Sequence, residues 1–133
     1  MEPGAIVKKM YDNDAFSQWL GIEVLDVQAG YCKLRMVVKK QMLNGFSLAH
    51  GGITYSLADS ALAFASNSRG RQAVSVETSI NHLEKLKAGD ELLAETIELS
   101  VKNNIGFYRT EIKSDDKLVA IFNGTVFRTN KTW

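Results

Sequence analysis

Two histidines, one cysteine and almost no net charge are what this chain of 133 residues has to work with: 16 Lys and Arg stand against 15 Asp and Glu, a formal +1. Each scarcity excludes something. A lone cysteine, Cys32, cannot form an internal disulfide and fits a reducing compartment. It alternates with Lys33 in a strand-like run, so it reads as a small core residue rather than a nucleophile. His50 and His82, so far apart in the pattern, suggest no metal-ligand set. The even charge balance marks the chain for neither nucleic acid nor a membrane surface. No stretch approaches membrane-spanning length, and the N-terminal MEPGAIVKKMYDND lacks the long apolar segment of a leader. The expectation is a cytoplasmic protein with no nucleic-acid or membrane partner. No repeat, low-complexity tract or boundary divides residues 1–133, so they read as one domain long enough to bury a core.

What is present is a change of period along the chain. Ile6, Met10, Phe16, Trp19 and Leu20 suit a helix from about Ala5 to Leu20, interrupted near Asn13-Asp14 and stopped at Gly21, a lid or strap. Ile22 to Val27 and Tyr31 to Val38 then alternate as a hairpin around Gln28-Ala29-Gly30. Residues 39–49 have no clean period and form a loop with a turn at Asn44-Gly45. After Gly70 the chain is all strand: Ala73 to Leu83, Glu91 to Lys102, Gly106 to Ser114 and Lys117 to Thr129, with turn chemistry between them. In the first of these Val74, Val76, Thr78 and Ile80 share one face and Ser75, Glu77, Ser79 and Asn81 the other. Asn123-Gly124 suggests a bulge in the last. The pattern predicts an α+β fold, one antiparallel sheet of about six strands around a single long helix, with a short N-terminal helix and a sheet face or edge free for dimerisation.

That helix, His50 to Gly70, holds the most informative residue. From Gly51 to Ser68 Asp59 is the only charge, set among Ile53, Leu57, Ala58, Ala61, Leu62, Ala63, Phe64 and Ala65 on a helix apolar nearly all round, which implies burial. A buried carboxylate must be paired, hydrogen-bonded or shifted in pKa. Its own helix offers at best Tyr55 or Ser56 as donors. Asp59 is therefore either a reactive group or a structural acid satisfied from a distant element. At the helix entrance Gly51-Gly52 expose backbone N–H groups suited to an anion or a developing oxyanion; equally, Gly-Gly makes a tight turn. Eight residues separate Gly51 from Asp59, about 12 Å along the axis. A reacting carbonyl must lie within about 3 Å of nucleophile and oxyanion donor alike. If both act on one carbonyl, they come from two copies of the chain.

The run Asn44-Gly45-Phe46-Ser47-Leu48-Ala49-His50-Gly51-Gly52, followed by Leu57-Ala58-Asp59 and residues 61–70, resembles the hot-dog-fold acyl-CoA thioesterases of the phenylacetate-degradation (PaaI-like) type. The likeness rests on an N-x5-HGG segment with an Asp eight residues after its first Gly, and on two strands before the helix and four after it. The resemblance implies that Asp59 is the nucleophile or general base of thioester hydrolysis, that the Gly51 N–H polarises the carbonyl, and that Asn44 orients substrate or water. It makes His50 a positioning residue and places Ser75 where some relatives carry a Ser that assists the water. It implies a site spanning a dimer interface, self-association into a dimer or a dimer of dimers, and no cofactor beyond coenzyme A as part of the small-molecule substrate.

Gly52 and the cations Arg69, Lys85 and Lys87, grouped after the helix and near the end of the following strand, are the candidates for coenzyme A binding, since Lys and Arg suit its phosphates. As individual residues the three cations read equally well as solvated surface charges. The acyl group, aryl or medium-chain, is left open by Tyr55, Phe64, Phe46 and Met42, which suit a pocket or a core. Two other functions compete: a hot-dog hydratase or dehydratase pairing His50 with Asp59, and a non-catalytic acyl-CoA-binding protein.

Overall fold

The computed structural model describes residues 1–133. Pro3, at the position where a helix tolerates a missing N–H, opens α1 (Pro3–Asp12), which buries Ile6 and Val7. The break expected near Asn13-Asp14 is there: Asp14 caps a second short helix, α2 (Ala15–Leu20), by accepting from the Ser17 N–H at 2.9 Å. Gly21 ends α2 in the left-handed conformation, φ 73°, that glycine adopts without a Cβ penalty. Tyr11 clamps this strap, donating to the Ile22 carbonyl at 2.7 Å and packing edge-on against Phe64.

Two strands follow, β1 (Glu23–Gln28) and β2 (Tyr31–Val37), then a single 3-10 turn at Lys40–Met42 inside the segment expected to be plain loop. Next comes α3 (Gly51–Asn67), then β3 (Arg71–His82), β4 (Glu91–Lys102), β5 (Ile105–Ser114) and β6 (Lys117–Thr132). The strands form one antiparallel sheet in the order β1-β2-β4-β5-β6-β3, with β1 and β3 at the edges. Cys32, Leu34 and Met36 of β2, Leu92 and Ala94 of β4, Ile112 of β5 and Phe122 of β6 are fully buried beneath α3. Burial pushes the Cys32 thiol up to about 12, in keeping with the small core residue expected. Thr96 and Thr110, also fully buried, satisfy each other across β4 and β5 at 2.6 Å.

The far end of α3 is tied to β3 by one side chain. Asn67 donates to the carbonyls of Ala63 and Ala73 at 2.9 and 3.0 Å and accepts from the Ala73 N–H and the Trp133 indole, each at 2.9 Å. A buried amide with its hydrogen bonds all made fixes where β3 departs.

Three expectations need correction. First, α3 is not covered all round: Gly52, Tyr55, Ser56, Asp59 and Ala63, spaced three and four apart, leave one stripe exposed or half-buried. Second, Asn123-Gly124 is no bulge, since Asn123 and Gly124 pair in unbroken register with Arg109 and Tyr108 on one side and Ser79 and Thr78 on the other. Gly124 is required by packing: a Cβ there would lie 2.5 Å from Leu62 Cδ2. Third, a bulge occurs on β3, where Ser75 faces Val126 and Glu77 faces Thr125 with Val76 left over. The extra residue reverses the phase of the strand. Ser75 thereby shares the helix-facing side with Thr78 and Ile80, while Val74 and Val76 point away, 56 and 61 % exposed.

Candidate active site

The entrance of α3 is built by His50. Its Nδ1 accepts from the Gly52 N–H at 2.8 Å, capping the first turn. That bond puts the ring proton on Nε2. It also consumes the Gly52 donor, so of the two glycine N–H groups expected to be open, only that of Gly51 has no acceptor in the chain. Next to it stands His82, which the strand pattern hid. A Cβ on Gly51 would lie 3.3 Å from His82 Nε2, and Thr54 Oγ1 lies 3.2 Å from His82 Nδ1 while donating to the Gly51 carbonyl at 3.1 Å. The sequence signal for His82 was its even spacing from Thr78 and Ile80, which carries the helix-facing side of β3 to its end. Thus the two histidines that looked unrelated flank one helix N-terminus.

Asp59 sits two turns further on, along the open stripe, where it lines a cavity of about 250 Å³ with Ser75, Ser66, Ala73, Val74 and Leu62. Neither neighbour on its own helix serves it. Tyr55 is hydrogen-bonded to Thr78, and Ser56 donates to the Gly52 carbonyl at 2.6 Å. Burial raises the Asp59 carboxyl above its ordinary range, and the carboxylate of Asp14 raises it further. An acid with a raised pKa and no cation beside it is a stronger base when ionised, which suits proton abstraction or attack on a carbonyl.

The remaining predicted residues divide. Ser75 is brought to Asp59 by the β3 bulge. Asn44 is a half-committed side chain: its Oδ1 accepts from the N–H groups of Phe46 and Leu48 at 2.8 and 3.2 Å, folding the loop before α3, and its amide nitrogen is unused. The three cations are not one group. Arg69 lies at the opposite end of β3 from Lys85 and Lys87, because β3 runs the length of the helix. It is held in a two-pronged pair with Glu98, at 2.8 and 2.9 Å. Lys87 pairs with Asp90 at 3.0 Å. Lys85 enters no ion pair and lies beside His82.

Known proteins share this fold. Residues 46–121 match the family model of the thioesterase superfamily. The chain is 40 % identical over 124 residues to acyl-coenzyme A thioesterase PaaI of Escherichia coli, across 92 % of this chain and 89 % of that one. The solved structure of the E. coli PaaI protein superposes with a TM-score of 0.95, covering 98 % of this chain and 95 % of that one at 37 % identity. A Streptococcus mutans protein solved bound to acetyl-CoA, 26 % identical, gives a TM-score of 0.81 over 84 % of this chain and 91 % of that one. The fold and these matches agree: the chain belongs to the thioesterase superfamily, with the hot-dog fold of its PaaI-like members.

Proposed function

We propose that this protein is an acyl-CoA thioesterase that hydrolyses an aryl- or medium-chain acyl-CoA to the free acid and coenzyme A at a site shared by two copies of the chain. The observation that carries the reading is Asp59: a carboxylate of raised pKa, without a hydrogen-bond partner, on the one open stripe of an otherwise buried helix. The relative bound to acetyl-CoA and the E. coli thioesterase supply the substrate class.

The thioester carbonyl sits over the N-terminus of α3, where the free Gly51 N–H and the helix dipole stabilise the oxyanion as it forms. Asp59 of the partner subunit either attacks the carbonyl carbon, giving a mixed anhydride that water then opens, or takes a proton from the attacking water. The carbon–sulfur bond breaks in the acylation step or the water attack, and coenzyme A leaves as the thiolate, which becomes the thiol by taking up a proton from the water that is consumed. Ser75, in the Asp59 cavity, holds the water, and the free amide of Asn44 donates to substrate or water. His50 keeps the entrance rigid by capping it. The Gly52 N–H acts only through that cap. Lys85 is the cation best placed for coenzyme A phosphates, with Lys87 beside it and Arg69 contributing only through the far end of a partner.

An open sheet edge supports the pairing of copies. β3 is twelve residues long with one side unpaired and Val74 and Val76 exposed, the kind of edge that recruits another strand. Ser75 is level with Asp59 and His82 is level with Gly51. An antiparallel pairing of two β3 strands about a two-fold axis near Thr78 and Ser79, midway between those levels, brings Asp59 of each copy toward Gly51 of the other. A dimer, or two such dimers together, working in the cytoplasm on a soluble substrate as a single-domain enzyme, completes the proposal.

The test is release of free thiol from a panel of aryl- and alkyl-acyl-CoA thioesters by wild type, Asp59→Asn and Asp59→Ala. The expected result is turnover of at least one thioester that falls about 10²–10⁴-fold in both variants with the oligomer intact. No thiol release from any thioester, with acyl-CoA binding unchanged by the substitutions, would leave a binding protein instead.

A further inference from the structure

The elbow between α1 and α2 carries an acid that the scheme above does not use. Asp14 Oδ1 accepts the Ser17 N–H at 2.9 Å, and Oδ2 accepts the Ser17 hydroxyl at 2.6 Å. Ser17 has a single hydroxyl proton, so in its 2.8 Å contact with Ser60 Oγ it is Ser60 that donates. Both serines are buried, Ser17 completely. A chain of two hydroxyls therefore runs from the turn of α3 that carries Asp59 to the carboxylate of Asp14, each donor pointing toward the charge.

Asp14 is also the one charged group whose field reaches Asp59. The other elements bring no charge to it. β3 and β6 present Ala73, Val74, Ser75 and Val126. The titratable side chains packed elsewhere along α3 are occupied: Tyr11 on Ile22, Cys32 on the Ala61 carbonyl, Tyr108 on Glu98, Tyr55 on Thr78 and His82 at Thr54.

We propose that Asp14 is a positioning residue for hydrolysis: its carboxylate, anchored through Ser17 and Ser60, places a negative charge behind the turn of α3 that carries Asp59 and holds the strap against that turn. The inference rests on Asp59 being the reacting carboxylate, and it adds a residue outside the helix-entrance and stripe motifs. Asp14→Asn separates charge from structure, because Asn caps a helix as well as Asp does and its side-chain oxygen still accepts from Ser17.

The experiment is the pH dependence of kcat/KM for acyl-CoA hydrolysis in wild type, Asp14→Asn, Asp14→Ser and Asp59→Asn. Wild type shows an acid limb. In Asp14→Asn it moves to lower pH, because the neutral side chain no longer disfavours the charged form of Asp59. Asp14→Ser, a neutral residue that also caps, moves it the same way even if Asn at this position folds poorly. Limbs that superimpose on wild type in the folded neutral variants, while Asp59→Asn is inactive, overturn the inference. An active Asp59→Asn overturns the reading of Asp59 itself, and the two failures are thereby told apart.

Discussion

Asp59 is tuned against stability. Burial and the Asp14 carboxylate raise its pKa, so the folded chain holds that proton to higher pH than the unfolded chain does. The folded state is then destabilised as pH rises through the interval between the unfolded and folded values, and the penalty persists above it. Asp59→Asn is expected to melt above wild type at pH 7, with the gap closing as pH falls below the unfolded carboxylate range. Thermal melts at pH 7 and below pH 4 check this, and a neutral variant less stable than wild type at pH 7 would contradict it. Gly124 is the converse case, a residue fixed by packing with no chemistry. A Cβ would meet Leu62 Cδ2 at 2.5 Å and force the buried Leu62 out of its packed position, so Gly124→Ala costs about 1–3 kcal/mol by denaturant unfolding. Because the two sites touch, Leu62→Ala in the same chain should recover part of that loss.

At the scale of elements, the entrance of α3 concentrates the work of several residues into one turn. His50→Ala removes the cap on the Gly52 N–H and is expected to lower stability by about 1 kcal/mol. His50→Asn, a good cap, should restore most of it, and thiol-release assays on both show how far activity follows the rigidity of the entrance. Much of this was legible in the chain, because local rules suffice there: the split at Asp14, the stop at Gly21 and β4 at Glu91–Lys102 all follow from caps and alternation. What was not legible depends on partners distant in sequence. Alternation through β3 puts Ser75 on the outer face, and only the extra residue opposite β6 turns it toward Asp59. Arg69 reads as a free cation until Glu98, on β4, is seen to hold it. His82 and His50 flank the same helix entrance because β3 returns along the whole length of α3, a fact of topology that no window of sequence contains.

At the scale of the whole molecule, the proposed donor Gly51 and the proposed base Asp59 stand about 12 Å apart on one helix, so under the proposed scheme one copy cannot complete the site alone. Two defective copies should therefore repair each other if each lacks a different half. Asp59→Asn removes the base. Gly51→Pro removes the donor with little harm to the helix, since proline suits the first helical position and His50 already has the extended backbone, φ −59° and ψ 138°, that a residue before proline needs. Each variant alone should release little thiol. Unfolded, mixed in equal amounts and refolded, half of the dimers would be mixed, and each mixed dimer would contain one site with both defects and one with neither, so activity should recover to about a quarter of wild type. Recovery that grows with the mixed-dimer fraction requires Asp59 and Gly51 to act from different subunits. Complete absence of recovery, with mixed dimers demonstrably formed, would mean that both halves of the site lie in one chain, and that the two-fold pairing through β3 is not the active assembly.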